Sequence, residues 1–373
     1  MCGGTAWDDQ ETAQLLAVAE AAERYAGSDL LGEESIWATA RELAGQCLDP
    51  ERYPQCSAQE YANRACPVTR FDPSAPIRWV RGLDLVSQQQ IWVPAVMACY
   101  SLADVVPAEE FTYRLSTGYA VHTDPVEAAV RGLCEVVERD IISILWLQQL
   151  PLPALSPQDH TAELDELIEW CRRRFIRVHL FDATSDIGVP AAYCVLAADH
   201  DRRACRVVGA GTGRNLSRAA QKALHEAITG IDLSRDGEIP SSLADFHDIS
   251  DGGRFMAVPE RSGAFNFLLT GAAPANPQRR SPDLPGSPDE ALSALVRSLA
   301  DAGMRPVVVD RTPVELAAVG LTAVNAIVPE LQPMSLHPLA QFKAHPRLYQ
   351  APARMGYRVL AEGQLNPWPQ PFA

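Results

Sequence analysis

Glutamates spaced three residues apart are the first residues in this sequence whose types and spacing could do chemistry. Glu20 and Glu23 form one pair, in the stretch Glu-Ala-Ala-Glu-Arg, and Glu135 and Glu138 form another, in Glu-Val-Val-Glu-Arg-Asp. Residues three apart on a helix project from one face, where like charges repel unless a cation separates them. Mg²⁺ prefers carboxylate oxygen and is usually shared with substrate phosphates. The alternative is a solvated helix face whose acids pair with neighbouring arginines.

A third stretch could add cationic and backbone groups to the same chemistry. Lys222 and Glu226 lie one helical turn apart, and Gly209, Gly211 and Gly213 precede them. A glycine-rich turn that leads into a helix can hold phosphate with its backbone N–H groups. The plain alternative is a tight strand–helix turn. Three helices with inward-facing acids could together line one oxygen-rich cage.

The sequence predicts a helix beneath each of these groups. One is expected over Asp9 to Gly27 and another over Ser217 to Asp232. Between them, a helix begins at Pro125, which suits the first helical turn because its missing N–H is not needed there. Thr123 or Asp124 would cap that helix by accepting a backbone N–H.

Short apolar or β-branched segments predict strands between the helices. Residues 76–100 indicate two strands around a polar turn, whose Trp79 and Trp92 are expected in the core. The remaining elements alternate, which indicates mixed α/β layers and an α/β (α+β) fold. Further strands are expected over 175–181, 191–197, 206–210, 306–310 and 323–328, and further helices over 162–174 and 288–302. Residues 233–285 are expected to form polar surface loops.

Composition excludes several classes of protein. The chain has 373 residues, 47% apolar and 21% charged, which is typical of a globular protein. Its formal net charge of −15 argues against nucleic acid or an anionic membrane as partner. The sequence has no apolar run of about 20 residues that could span a membrane, and no secretory signal. Nine cysteines without a Cys-x-x-Cys pair indicate reduced thiols in a cytoplasmic protein.

Taken together, the motifs resemble those of the YcaO family, and more narrowly its D-type, azoline-forming cyclodehydratases. Glu20 to Arg24 is similar to the early Glu-x-x-Glu-Arg helix of the family, and Ser116 to Asp140 to its central loop and helix. Gly211 to Glu226 is similar to its later Gly-x-Gly loop and helix. The ending Pro367-Trp-Pro369-Gln-Pro371 is similar to the terminal Pro-x-Pro-x-Pro that distinguishes azoline-forming members. The resemblance covers nearly the whole chain and implies a single YcaO domain over 1–373.

The resemblance also implies the site residues and two cofactors, ATP and Mg²⁺. Residues 366–373 would form a tail that reaches the active site, with the Ala373 carboxylate as a candidate general base. The implied Mg²⁺ ligands are Glu20, Glu23, Glu135 and Glu138. The implied ATP contacts are Ser116, Glu127, Arg139, Lys222 and Glu226, and the implied catalytic tail residues are Pro367, Pro369, Pro371 and Ala373.

The chain departs from the family pattern at several positions. Lys222 replaces an arginine, which keeps the charge but loses the bidentate fork. His122 replaces a glycine and is expected to be either a local proton-transfer group or an ordinary hydrogen-bonding residue. The family also has a Gly-Lys-Gly loop before its first helix, which this chain lacks. Other departures are Leu16 for serine, Thr117 and Thr123 for asparagine, and Thr229 for glutamine.

The activity implied by the resemblance is formation of azoline rings in a ribosomal precursor peptide. A Cys, Ser or Thr side chain adds to the preceding backbone carbonyl, the resulting oxyanion attacks the γ-phosphate of ATP, and phosphate then leaves. The implied partners are the precursor peptide, an E1-like C-type protein and a flavin dehydrogenase. A homodimer is a further option.

Three alternatives stay open at this point. The first is another YcaO activity, thioamide or macroamidine formation, against which the proline tail argues. The second is a non-catalytic YcaO scaffold, which the departures from the pattern suggest. The third is an unrelated ATP- or phosphate-handling enzyme. A proline-rich ending can also be no more than an exposed polyproline segment.

Overall fold

The computed structural model describes residues 9–29, 34–247, 250–271 and 282–372. Its helices are α1 (Gln10–Ala26), α2 (Ala58–Ala62), α3 (Ala95–Ala98), α4 (Pro125–Leu147), α5 (Ala162–Arg172), α6 (Leu216–Arg235), α7 (Asp251–Met256), α8 (Asn266–Leu269), α9 (Pro288–Asp301), α10 (Val314–Ala318) and α11 (Arg347–Arg354). Its strands are β1 (Ser35–Ala38), β2 (Ile77–Asp84), β3 (Gln89–Pro94), β4 (Tyr119–His122), β5 (Arg177–Asp182), β6 (Ala191–Ala197), β7 (Arg206–Thr212), β8 (Val307–Asp310) and β9 (Thr322–Ile327). The predicted mixture of sheets and helices is confirmed.

Two compact units divide the described residues. The first comprises those within 1–136, 285–331 and 342–345, and the second those within 137–284, 332–341 and 346–373. Helix α4 begins in the first unit and ends in the second. The single domain expected over 1–373 stays a prediction.

The first unit is built on an antiparallel sheet in the order β1-β2-β8-β9-β4, with β3 also paired to β2. One face of the sheet packs into an apolar core that includes Trp79 and Trp92, so their predicted core position is confirmed. Strand β4 is at the end of this order, and its inner edge pairs with β9. Its other edge therefore faces away from the sheet.

The second unit contains the antiparallel sheet β5-β6-β7, against which α6 packs. The predicted glycine-rich turn is wrong, because Gly209 and Gly211 lie within strand β7. A Cβ atom at Gly209 would lie 2.2 Å from the Ala223 carbonyl oxygen, and one at Gly211 would lie 2.4 Å from that of Ala219. These glycines let helix and strand approach closely.

The prediction of polar surface loops over 233–285 is also wrong for the described residues of that stretch. Phe246, Phe255, Met256, Phe265 and Leu268 are buried in the core of the second unit. These apolar side chains are spaced out in a polar segment, so the average composition conceals them. Short helices α7 and α8 carry Phe255, Met256 and Leu268.

Helix α4 is capped as expected, because the Asp124 carboxylate accepts the backbone N–H groups of Val126 and Glu127. Its charged side is not simply solvated, since Glu138 and Asp140 are buried. Within the described part of the chain, no helix is both long and apolar enough to cross a membrane. The cysteines that the structure describes are free thiols, mostly buried, as predicted.

Candidate functional site

In the first unit, two glutamates accept backbone N–H groups next to β4, the strand at the edge of the sheet. One N–H lies within the strand and the other just before it. The Glu23 Oε1 atom lies 3.3 Å from the Val121 nitrogen, and the Glu135 Oε2 atom lies 3.0 Å from the Gly118 nitrogen. Each contact satisfies a donor that has no neighbouring strand to pair with. Each also fixes the carboxylate in one orientation, as supporting hydrogen bonds do around metal ligands.

The glycine of the Ser-Thr-Gly loop is required by geometry. Gly118 has φ +89°, and a Cβ atom there would lie 2.1 Å from the Ala326 carbonyl oxygen. The N–H of Ala326 in turn donates to the Gly118 carbonyl, at 2.8 Å. Only glycine can therefore present its N–H to Glu135 from this position.

The carboxylates of the first unit repel one another. Burial, and then the Glu135 charge, raises the pKa of Glu23 to about 7, although the Val121 N–H opposes the shift and Glu20 adds to it. Glu20 itself pairs with Arg24 at 3.4 Å. A bound cation would relieve this repulsion, so the cluster has the chemistry of a cation site.

In the second unit, Glu138 is surrounded by donors. Its Oε2 atom accepts the Thr212 N–H at 2.7 Å and the Thr212 hydroxyl at 3.0 Å, and lies 3.2 Å from the Lys222 Nζ atom. Its Oε1 atom lies 3.6 Å from Arg139. Burial alone would raise its pKa, but Lys222, Arg139 and the hydrogen bonds outweigh burial and hold the pKa below its usual value. Glu138 is therefore a charged, buried carboxylate.

Glu226 on α6 is the second carboxylate of this group. Its Oε2 atom accepts the Ala210 N–H at 2.7 Å. Burial raises its pKa, Arg139 opposes the shift and Glu138 adds to it. The second unit thus combines two carboxylates with two cations, Arg139 and Lys222. The ammonium of Lys222 is the accessible one, since its side chain is 56% exposed.

The same local arrangement occurs in both units. Glu135 on α4 accepts an N–H just before the preceding strand β4, and Glu226 on α6 accepts one within its preceding strand β7. Glu23 and Glu138 are each the second acid of a Glu-x-x-Glu pair. Glu23 on α1 accepts an N–H from β4, the strand before α4, and Glu138 on α4 accepts one from β7, the strand before α6. On α6 the corresponding third-residue position is Thr229, whose hydroxyl donates to the His225 carbonyl. The pattern of strand-pairing carboxylates therefore stops at Thr229, which has no carboxylate.

The proline-rich ending packs inside the second unit. Pro369 and Pro371 are buried, whereas Pro367 is exposed. The Trp146 Nε1–H donates to the Trp368 carbonyl at 3.0 Å. The ring of Phe372 lies between Tyr193, at 5.9 Å between centroids, and the Arg139 guanidinium, at 5.8 Å. Ala373, the predicted general base, lies outside the described residues.

Gly252 in helix α7 lies directly against this tail. A Cβ atom there would lie 2.2 Å from the Gln370 carbonyl oxygen. The Gln370 side chain is buried and donates to the Ile142 carbonyl of α4. The tail is therefore held on α4 by side-chain hydrogen bonds and lies against the backbone of α7 at Gly252.

The remaining predicted residues have local partners. Glu127 pairs with Arg131 at 3.1 Å, and Ser116 accepts the Tyr119 N–H through its backbone carbonyl. The His122 Nδ1 atom accepts the Asp124 N–H at 3.0 Å, which favours the hydrogen-bonding interpretation over proton transfer.

Sequence reasoning missed two contributors, Thr212 and the buried Arg347. Arg347 donates to Asp140, 2.8 Å from its Oδ2 atom, and forms an ion pair with Asp186 at 2.7 Å. Asp140 follows Arg139 directly, so this network orients the end of the Glu-Arg-Asp motif. A buried basic partner could have been inferred from the acidic end of that motif, but nothing in the sequence identifies Arg347 as the partner.

The residues present fit Mg²⁺ and a phosphate chain. Among the described residues, no group of three or more His, Cys, Asp or Glu side chains could hold a metal ion by itself. Mg²⁺ usually keeps several waters and takes one or two carboxylates together with substrate phosphates, so such a group is not required. The mutually repelling Glu23 and Glu135 suit the cation, and Lys222 and Arg139 suit the phosphates.

Comparison with known proteins identifies the family. Residues 7–332 match the family model described as YcaO cyclodehydratase, ATP- and Mg²⁺-binding. A curated relative, an uncharacterised protein in the tfuA 3′ region of Rhizobium leguminosarum bv. trifolii, is 29% identical over 251 residues, which cover 62% of this chain and 56% of that protein.

Solved structures share the fold. A heterocyclase in complex with substrate and cofactor has a TM-score of 0.83 at 24% identity, covering 100% of this chain and 49% of its own. YcaO from Methanopyrus kandleri, bound with AMPPCP and Mg²⁺, has a TM-score of 0.64 at 22% identity, covering 87% and 77%. The E. coli microcin synthetase McbBCD complex with pro-MccB17 bound has a TM-score of 0.67 at 15% identity, covering 98% and 90%.

These comparisons confirm the predicted fold and the predicted cofactors, ATP and Mg²⁺. The chain spans about half the length of the heterocyclase and of the curated relative. None of these comparisons tests the roles of individual residues, which stay predictions.

Proposed function

The chain belongs to the YcaO family, and we propose that it forms azolines by ATP-dependent cyclodehydration of Cys, Ser or Thr residues in a ribosomal precursor peptide. The proposal rests mainly on the contact of Phe372 with Arg139. It brings the end of the Pro-x-Pro-x-Pro tail to a cation that also contacts Glu138. A merely exposed polyproline ending would make no such contact.

The roles of the charged residues follow from their surroundings. When bound, ATP supplies the phosphoryl group that turns the amide oxygen into a leaving group. The exposed ammonium of Lys222 and the guanidinium of Arg139 bind phosphate oxygens and neutralise their charge. Glu20, Glu23, Glu135 and Glu138 hold Mg²⁺, which needs them deprotonated. Ser116, Glu127 and Glu226 contact the nucleotide or its metal.

The backbone contacts keep these groups in place before the reaction. Carboxylates that already accept fixed N–H groups need little reorganisation when phosphate and metal arrive. The tail places Pro367, Pro369, Pro371 and the carboxylate of Ala373 at the reacting amide, where the carboxylate acts as general base. Positioning and charge neutralisation supply most of the rate enhancement in this scheme.

The proposed partners are a precursor peptide and an E1-like C-type protein that presents it. The structural similarity to McbBCD, a complex solved with pro-MccB17, supports partners of this kind. A flavin dehydrogenase that oxidises the azolines is a further proposed partner, and a homodimer is compatible with the scheme.

The test is ATP hydrolysis with a Cys- and Ser-rich precursor peptide and the E1-like partner, followed by intact-peptide mass. ATP-dependent loss of one water per ring is the expected result. Exchange of oxygen for sulfur would identify a thioamide-forming enzyme instead. Nucleotide binding without any mass change would identify a scaffold, provided that the same partner and peptide are modified when an active YcaO protein is supplied.

A further inference from the structure

An exposed aromatic residue ends the turn after helix α5. The Phe175 N–H donates to the Arg172 carbonyl at 3.0 Å, and the Ile176 N–H donates to the Cys171 carbonyl at 3.1 Å. This pair of bonds defines a Schellman motif, and Cys171 and Ile176, at the two positions where apolar residues are usual, are buried. Phe175 takes the position that glycine normally fills, and its φ is +58°.

A phenylalanine in this conformation is unfavourable by roughly 1 kcal/mol relative to glycine. Its ring is 82% exposed, so burial does not offset that cost. The aromatic neighbour of the ring is His200, edge-on at 6.3 Å between centroids. A strained, exposed aromatic residue indicates a function other than stability.

Arginines flank Phe175 in the sequence. Arg172 and Arg173 share one carboxylate, Glu169, at 2.7 Å and 3.0 Å. Arg177 shares Asp199 with Arg206, at 2.6 Å and 2.8 Å. The guanidinium of Arg174 stacks on Trp170 at 3.7 Å. We call Arg172, Arg173, Arg174, Phe175, Arg177 and His200 the Phe175 patch. Its four arginines outnumber the two carboxylates, Glu169 and Asp199, that pair with them.

The patch continues into a strand edge. Strand β5 is the first strand of its sheet and pairs on one side with β6. On its other side, the Leu155 N–H donates to the Leu180 carbonyl and the Asp182 N–H donates to the Pro153 carbonyl. Among the described residues, these two backbone hydrogen bonds lie at the far half of β5. The half that begins at Arg177, next to Phe175, could pair with an extended segment.

We infer that the Phe175 patch binds an extended, acidic segment of the precursor peptide, with one apolar side chain of that segment against Phe175. Arginine forks recognise carboxylates bidentately, and an exposed aromatic ring among arginines is a typical binding hot spot. A short acidic peptide can contact the patch alone, whereas nucleic acid or an anionic membrane would also meet the negative charge of the rest of the chain. The identity of the peptide as the substrate rests on the proposed function.

The substitution Phe175→Gly tests the inference without risk to the fold. Glycine relieves the left-handed strain, so the variant should unfold at an equal or higher temperature. The probe is a fluorescent peptide rich in Asp and Glu with a single Leu, and the matched probe carries Asn and Gln instead. We expect the acidic probe to bind, the amide probe to bind at least about tenfold more weakly, and Phe175→Gly and Arg173→Glu each to weaken the acidic probe about tenfold.

Two controls lie outside the patch. Val314 is 78% exposed on α10, and Arg297 is exposed on α9. Val314→Ala and Arg297→Glu should leave probe binding within about twofold. Equal binding of both probes, or unchanged binding after Phe175→Gly, overturns the inference.

Activity assays decide the source of the segment. With the E1-like partner present, Phe175→Gly should raise KM for the precursor peptide about tenfold and leave kcat unchanged. A loss of affinity for the isolated partner with no change in KM assigns the surface to that partner, and a loss of self-association assigns it to a second copy; either result overturns the inference. Probe binding needs neither ATP nor turnover. It can therefore succeed where cyclodehydration fails, and it can fail where cyclodehydration succeeds.

Discussion

The guanidinium carbon of Arg139 lies 5.8 Å from the centre of the Phe372 ring. A cation over an aromatic face in a desolvated place contributes up to about 2 kcal/mol. The contact joins the proline-rich tail to the helix that carries Glu138. Anything that displaces the tail should therefore remove the aromatic partner of Arg139.

Substitution Gly252→Ala should displace the tail. The added Cβ would meet the Gln370 carbonyl at 2.2 Å, and a backbone atom cannot yield as a flexible side chain would. We expect cyclodehydration to fall at least about tenfold while Mg²⁺-nucleotide binding changes little, measured by peptide mass and by calorimetry. The matched control is Gly363→Ala, because a Cβ at that glycine meets nothing within 4 Å. Equal activity of both variants would contradict a role for the tail.

Substitution Lys222→Ala should weaken nucleotide binding. Lys222 is the accessible cation beside Glu138, and its loss removes a charge-assisted contact worth about 1.5–3 kcal/mol. Affinity for AMPPCP with Mg²⁺ should fall about tenfold or more, measured by calorimetry. Lys222→Arg, which restores the residue type of the family, should bind within about threefold of the parent. A parent-like affinity of Lys222→Ala would exclude Lys222 from the phosphate site.

Substitution Glu23→Gln should stabilise the metal-free protein at high pH. The pKa of Glu23 is raised from 4.5 to about 7. The stability gained from holding that proton is fully present below about pH 4.5 and is lost as the pH rises through about 7. Glutamine stays neutral, so the variant should exceed the parent by about 1 kcal/mol or more at pH 8, and the difference should shrink towards pH 4.5.

Denaturant unfolding at both pH values, with a chelator present, measures this difference. An equal difference at the two pH values would contradict the shifted pKa. Added Mg²⁺ should stabilise the parent at pH 8 more than it stabilises Glu23→Gln, because only the parent keeps the carboxylate.

Substitution Arg347→Met should destabilise the protein by about 3–5 kcal/mol, because it leaves the buried Asp140 without its cation. The neighbouring Arg354 provides a control: its side chain is 45% exposed and lies 3.6 Å from Asp186. Arg354→Met should cost at most about 1 kcal/mol. If both variants lost a similar free energy of unfolding in denaturant, a large contribution of the Arg347–Asp140 ion pair to stability would be contradicted.

The regular elements could be predicted because their signals are local. Strand β6 over Ala191–Ala197 and helix α4 from Pro125 follow from apolar spacing and from the proline at the helix start. The exception was strand β7, where Gly209 and Gly211 suggested a turn. Sequence reveals that a residue is small, but not that a helix lies against it.

The partners of the site glutamates could not be predicted, because they are distant in sequence. Glu138 and Thr212 are 74 positions apart, and a threonine at the end of an apolar strand suggests only β structure. Phe372 was expected near the site only because the tail resembles that of a family. Its contacts with Tyr193 and Arg139 depend on how that tail packs.

The glutamates that pair with strands β4 and β7 take the place of a neighbouring strand as hydrogen-bond acceptors. A buried backbone N–H without an acceptor costs about 1–3 kcal/mol. Thr212 and Ala210 are buried and donate to Glu138 and Glu226, so removing either side chain would leave a buried donor unpaired. Alanine variants made to inactivate this protein should therefore be less stable than glutamine variants, which keep the accepting oxygen. Loss of folded protein in such an alanine variant is then a result of its unpaired backbone, separate from any catalytic role.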